Sequence, residues 1–367
     1  MFTAMKKVVF LIVSLLVGVT AYAQQLPDSH FENWSDKFKD DPQLKDWHGS
    51  NVNQVGSKFT FMFRKEGRTG YCAYVADRAI GIPKLKLGAT GPGYMTLGWP
   101  WQYLKGLNIS GATAGTEGGI AWKWRPDTMA VWVKRVGKDT DKEDFHLLYY
   151  AWSGTAKGNE YKNKKGECTY TERENEESDI RQATDGNECT TTQHVKQIAE
   201  GWYRARAKYN EWTQIKVPIY YMNDGTPTMC NVIFSAGNYP AFRANDGLYD
   251  GNGLYVDDVE LIYSSRIDKL TINGKEWKAF DSNSEKVQVC KLSDLSLQPS
   301  DMIKIDGYRG IGSLKNIKGK VARFKGRKLG SKEMTVEPGE VNGKPWVITV
   351  KAEDGSSTHT YKIKVER

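Results

Sequence analysis

Residues 253–263 read Gly-Leu-Tyr-Val-Asp-Asp-Val-Glu-Leu-Ile-Tyr. Leu254 and Val256 alternate as a strand does, and so do Val259, Leu261 and Tyr263, but the two sets are out of step across Asp257-Asp258. A strand's side-chain period is two, so one extra residue turns everything after it to the other face. Two adjacent carboxylates inside an apolar run are costly unless donors or a cation meet them. The pair therefore sits either on a bulged edge strand with its acids in water, or beside a cation.

The rest of the chain carries the same period. Strand candidates are 58–63, 71–75, 94–97, 128–136, 145–152, 213–218, 229–235 and 254–263, punctuated by Gly, Asn and Pro. Thirty-six glycines, 12 Trp, 19 Tyr and 12 Phe accompany scarce helix-period stretches, so the fold class is all-β. Residues 213–218 and 227–235, around Asn223-Asp224-Gly225, predict a hairpin. Residues 153–194 are rich in Lys, Glu, Gly and Asn and predict an unstructured insert.

The N-terminus predicts a signal peptide, 1–23. Lys6-Lys7 precedes an apolar run that ends at Ala21-Tyr22-Ala23. An exported location follows: periplasmic, outer-surface or secreted. No later stretch reaches the ~18 apolar residues of a membrane span. Residues 266–367 hold 21 Lys and Arg against 13 Asp and Glu, whereas 24–265 sum to −2. That basic character favours acidic glycans or a membrane surface. Nucleic acid is not expected as a partner of an exported chain without a matching motif. The five cysteines show no C-x-x-C spacing, which argues against zinc and redox chemistry. Cys168 and Cys189 bracket the polar insert and are the disulfide candidate. Cys72 and Cys230 lie in strand-like runs and are expected in the core, and the five histidines are scattered without metal spacing.

Phe31-Glu32 followed by Trp47, and the closing Leu254-Tyr255-Val256-Asp257-Asp258-Val259, resemble the first and last strands of carbohydrate-binding jelly rolls. Between them stand Arg125-Pro126-Asp127 before 128–135, Asp144, and Trp212 to Tyr221 followed by Pro227. Order and spacing resemble the putative carbohydrate metabolism domain family of Bacteroides-type proteins over residues 26–264. The resemblance implies a galactose-binding-like jelly-roll β-sandwich over 24–265. It also implies a structural Ca²⁺ shared by Glu32 and Asp257, with Asp258 as a weaker ligand. The Trp-rich 98–101 run and the long insert depart from the pattern. Residues 346–365 predict a hairpin about Asp354-Gly355, similar to the last hairpin of bacterial immunoglobulin-like or cadherin-like repeats. The resemblance implies a smaller immunoglobulin-like β-sandwich over 266–367.

Sugars stack on flat aromatic faces and take hydrogen bonds from polar side chains. Gly98-Trp99-Pro100-Trp101-Gln102-Tyr103 reads as a loop, where exposed rings suit stacking better than packing. Trp99, Trp101, Tyr103, Trp124, Arg125 and Asp127 are the ligand-binding candidates. Tyr94, Trp122, Trp202 and Trp212 are further platforms, whereas Trp132 continues an apolar stripe and is expected in the core. Proline in Arg125-Pro126-Asp127 also suits a purely structural turn. The leading expectation is an exported, non-catalytic glycan-binding protein that acts on an oligo- or polysaccharide with cell-surface uptake partners. A glycoside hydrolase or lyase would need two facing carboxyls, and no motif isolates a pair. A surface adhesion or assembly subunit is the third reading.

Overall fold

The computed structural model describes residues 24–35, 43–54, 57–82, 87–103, 113–153, 158–162, 168–173, 196–238, 247–315 and 321–367. The expected signal peptide lies outside them. So does Cys189, and nothing is described of the Cys168 side chain, so the disulfide candidate falls outside as well.

The chain is all-β and clusters into two compact units. The larger comprises 25–262 together with 308–328, and the smaller comprises 263–307 and 329–367.

In the larger unit we number β1 His48–Gly49, β2 Met62–Glu66, β3 Tyr71–Ala76, β4 Tyr94–Thr96, β5 Trp99–Tyr103, β6 Thr113–Glu117 and β7 Ile120–Ala121. The numbering continues with β8 Thr128–Val136, β9 Phe145–Ser153, β10 Lys196–Ala205, β11 Tyr209–Tyr221, β12 Met229–Ser235 and β13 Gly253–Ile262. The main sheet runs β1-β4-β12-β9-β10-β11-β8-β13-β3-β2, with β7 beside β12. Neighbouring strands in it are antiparallel. The thirteen-residue β11 joins the halves: Tyr209–Pro218 pairs with β8, while Ile219–Tyr221 pairs with β10.

The core side of this sheet carries Leu147 and Tyr149 from β9, Phe234 from β12, and Met62, Val75 and Val256, all fully buried. Trp47 is fully buried too, stacked 5.6 Å from Phe234 and edge-on to Phe31 at 5.3 Å. Burying an aromatic of this size removes 150–250 Å² from water, so Phe31 and Trp47 fix the first segment to the sheet. Cys72, Cys230 and Cys290 are buried free thiols.

Three expectations change. β11 and β12 follow one another but do not pair, because β10 and β9 lie between them. The turn between them is tied to β10: the Asn223 side chain accepts from Gly225 N–H and donates to Gln197 O at 2.8 Å. Trp99–Tyr103 is a strand, not a loop, paired antiparallel with β6. Part of the polar insert is also paired: Gly158–Lys162 runs antiparallel to Cys168–Arg173, where Tyr161, Thr169, Tyr170 and Thr171 favour strand backbone.

In the smaller unit, Lys269–Ile272 pairs with Lys275–Glu276. A four-stranded sheet orders Val287–Lys291, Thr358–Glu366, Trp346–Lys351 and Met334–Glu337, the first pair parallel and the others antiparallel. The last hairpin forms as the sequence predicts, with Gly355 at φ +76 in its turn. Trp277, Trp346, Ile348, Tyr361 and Ile363 form its core.

Candidate functional site

The outer side of strands β2, β3, β13, β8 and β11 carries a row of rings. Phe63 faces Tyr74 across the ladder, Tyr74 faces Tyr255, and Tyr255 faces Lys134. Trp212 of β11 closes the row edge-on to Tyr255. Successive ring centroids are 6.0 Å (Phe63–Tyr74), 4.5 Å (Tyr74–Tyr255) and 6.2 Å (Tyr255–Trp212) apart. All four rings are half-buried, with part of each exposed. The row is a consequence of antiparallel register: residues opposite one another share a face, so one aromatic per strand makes a line across the sheet. Cations cover some of the rings. Arg78 stands 5.6 Å from the Phe63 centroid and Lys134 5.1 Å from that of Tyr255. Burial raises the phenol pKa of both Tyr74 and Tyr255.

One residue pair further along the same face lies the Asp257-Asp258 pair. The expected slip is real: the β8–β13 register shifts between Ala130 and Trp132, and Asp258 takes φ 44. The strand is not an edge, since β13 lies between β8 and β3. Asp257 is buried, and its carboxylate accepts from Arg68 N–H at 2.8 Å and Asp258 N–H at 2.9 Å. Burial nevertheless pushes its pKa up to about 6. Asp258 takes the Arg68 guanidinium on one oxygen and His30 Nδ1 at 2.7 Å on the other. The same guanidinium lies 3.8 Å from the Trp132 centroid, so Trp132, expected in the core, is a half-buried outer residue with a cation on its face. Glu32 is exposed and accepts from Tyr71 N–H at 3.0 Å.

The turn 67–70 thus receives both Glu32 and Asp257. Gly70, at φ +65, lies so close to Glu32 that a Cβ would overlap its carboxylate, and a Cβ on Gly67 would stand 2.7 Å from Asp257 Oδ2. These contacts bear on the expected Ca²⁺. The cation wants six to eight oxygens. Here Asp257 is satisfied by N–H donors and Asp258 by Arg68 and His30. Among the described residues no group of three or more Asp, Glu, His or Cys side chains is arranged to hold a metal. The carboxylates and donors present do not fit the ion as they stand, and Arg68 is the cation that faces them.

The other sequence candidates fall elsewhere. Trp99, Trp101 and Tyr103 stand on β5, in a two-stranded sheet of their own. Their side chains lie outside the description. That hairpin begins at Gly98, whose N–H donates to Asn231 Oδ1 at 3.0 Å. Trp124 is half-buried with Lys123 Nζ 5.4 Å from its ring centre, and Arg125 is half-buried at the approach to β8. Pro126 O accepts from Tyr221 Oη at 2.7 Å, and the Asp127 carboxylate lies 3.7 Å from buried Arg309. Arg125-Pro126-Asp127 therefore forms a joint between β8, β11 and residue 309. Tyr94, Trp122 and Trp202 are buried rather than available as platforms. Tyr94 and Trp202 pack with Leu148, Tyr150, Trp152 and Ile233. Sequence reading missed Phe63, Tyr74 and Tyr255 because single rings in separate strands give no local motif.

No family model matches the chain, and no curated protein matches it. Two solved structures are similar in part. One is described as a "putative glycoside hydrolase" from Bacteroides thetaiotaomicron VPI-5482, at 14% identity and TM-score 0.40 over 66% of this chain and 72% of that one. The other, from Bacteroides vulgatus ATCC 8482 and described in the same words, shows 16% identity and TM-score 0.35 over 55% of this chain and 77% of that one. At these scores neither likeness carries an argument about chemistry.

Proposed function

We propose that the protein binds glycans through the ring row Phe63–Tyr74–Tyr255–Trp212, without catalysing their cleavage. The observation that supports this reading is the row itself. Four rings on four strands, each partly in water and 4.5–6.2 Å from the next, form an aromatic strip across the sheet. A part-exposed aromatic strip of this kind is a candidate ligand surface. Pyranose rings present apolar C–H faces that match it, and the rim groups Lys134, Arg78 and Gln214 supply donors. The exported location and the cell-surface uptake partners expected from the sequence belong to the same proposal.

Screening the whole protein against a glycan array tests it. Binding should weaken when Tyr74 or Trp212 is replaced by Ala, with melting temperature little changed. Glycan cleavage lost on replacing a carboxylate would move the reading to a hydrolase or lyase.

A further inference from the structure

Residues 308–328 hold eight Lys and Arg and no Asp or Glu. The remainder of 266–367 carries 13 of each sign, so the whole basic excess of that stretch sits in this one segment. In the structure it belongs to the larger unit. Gly312–Lys315 and Val321–Phe324 pair as a hairpin, closed at its base by Arg309 opposite Arg327.

The register makes the hairpin two-sided. Gly312 faces Phe324 and Leu314 faces Ala322 on one side, while Ser313 faces Arg323 and Lys315 faces Val321 on the other. The first side docks. Phe324 stacks on Tyr220 at 5.2 Å and 14°, and Leu314 packs against the buried cluster that holds Trp152 and Trp202. Tyr221 N–H donates to Gly310 O at 3.0 Å, and the Tyr221 carbonyl accepts from Gly326 N–H at 2.7 Å. A Cβ on Gly312 would stand 2.6 Å from the Tyr220 ring, which is why the chain approaches there as glycine. Two of the cations belong to this docking: Arg309 is buried near Asp127, and Arg327 is buried 5.5 Å from the Tyr221 ring centre.

The second side faces water. Lys315 and Arg323 on that side are exposed, as is Lys325 just past the second strand, and among the described residues no carboxylate pairs with them. Val321 beside them is 59% exposed. Like charges gathered on one short hairpin repel each other. The anchoring is done by Phe324, Leu314 and the backbone, which leaves these three cations available to a ligand of opposite charge.

We propose that Lys315, Arg323 and Lys325 form a binding site for an anionic polysaccharide, one bearing uronate carboxylates or sulfate esters. The inference rests on the glycan-binding reading but concerns a different surface from the ring row. A repeating polyanion fits because the cations are spread over the hairpin and its exit rather than converged on one pocket. Attraction of this exposed kind is strong at low salt and screened within about 10 Å at 0.1 M.

The test uses the full chain, with polygalacturonate as the carboxylate probe, dextran sulfate as the sulfate probe and dextran as the neutral control. A K315Q/R323Q/K325Q variant is compared with the unsubstituted protein at low and high salt. The expected result is binding of at least one anionic polymer, weakened about tenfold or more both by salt and by the triple substitution. Melting temperature and neutral-glycan binding should be unchanged. Which polymer binds identifies the anionic group. Equal affinity of the variant for both polyanions overturns this site yet leaves the ring-row reading standing. Binding of phosphatidylserine vesicles without either polysaccharide also overturns it. Failure of the unsubstituted protein to bind any glycan, neutral or anionic, removes the glycan reading itself.

Discussion

The Arg68 guanidinium lies 3.8 Å from the centre of the Trp132 ring and reaches Asp258, while the Arg68 backbone N–H donates to Asp257. One residue thus meets both halves of the acid pair that interrupts β13, and does so from the turn between β2 and β3.

Replacing Arg68 with Ala should therefore destabilise the protein by about 1–2 kcal/mol, the sum of a partly desolvated cation–π contact and a partly exposed ion pair. Chelation by EDTA should leave the melting temperature unchanged. A fall in melting temperature on chelation, restored by added Ca²⁺, would instead return the metal to Glu32 and Asp257 and displace Arg68 from its role.

Stability should fall as pH rises through about 6. The Asp257 pKa is raised by burial from its usual value to about 6. The folded state therefore holds a proton that the unfolded chain has already lost, and the stabilisation present below pH ~4 disappears above 6. A shift of this size corresponds to roughly 2 kcal/mol after allowing for relaxation. Denaturant titrations between pH 4 and 7 measure it, and Asp257→Asn should flatten the profile.

Asp77 and Glu143 give a second, deeper case. Both are buried, and a Cβ on Gly237 would overlap one carboxyl oxygen of each, so those two oxygens converge. Their other oxygens accept Gly93 N–H at 2.7 Å and Asn252 Nδ2–H at 2.6 Å. Burial first, and Glu143 second, raise Asp77 well above the usual range. Two buried carboxyls with facing oxygens resist ionising together, so the pair favours keeping a proton. Gly237→Ala should cost more than about 2 kcal/mol by overpacking. Asp77→Asn, which supplies a permanent N–H, should keep stability at neutral pH at or above that of the unsubstituted protein. Thermal melts at pH 5 and 8 separate the two effects.

Tyr74→Ala and Trp212→Ala should lower glycan affinity while costing less than about 1.5 kcal/mol of stability, since both rings are part-exposed. Trp47→Ala should cost about 3–5 kcal/mol, as expected for a fully buried aromatic. Calorimetric melts beside affinity measurements distinguish the two classes. A large stability loss at Tyr74 would make the row a packing feature.

Much of the strand content was legible. Residues 128–136, 229–235 and the terminal 346–365 hairpin announce themselves by alternation and turn residues, and all form. The slip at Asp257-Asp258 was readable because an extra residue disturbs a strict two-residue period. Trp99–Tyr103 was misread as a loop because Gly98 and Pro100 resemble turn punctuation. Proline is nonetheless tolerated in a two-stranded ribbon, where one edge makes no ladder.

The sequence by itself determined the all-β class, the strand alternation and the concentration of positive charge after residue 266. Alternation says which residues share a face, because that depends only on neighbours two positions away. It does not say which face is covered. That choice put Trp202 and Tyr94 in a buried cluster, left Tyr74 and Trp212 partly in water, and brought Arg68 over Trp132. It also carried the basic 308–328 segment to Tyr220 of the larger unit. Only the tertiary structure decides such matters, because coverage is set by elements far apart in the chain. No local pattern encodes their register.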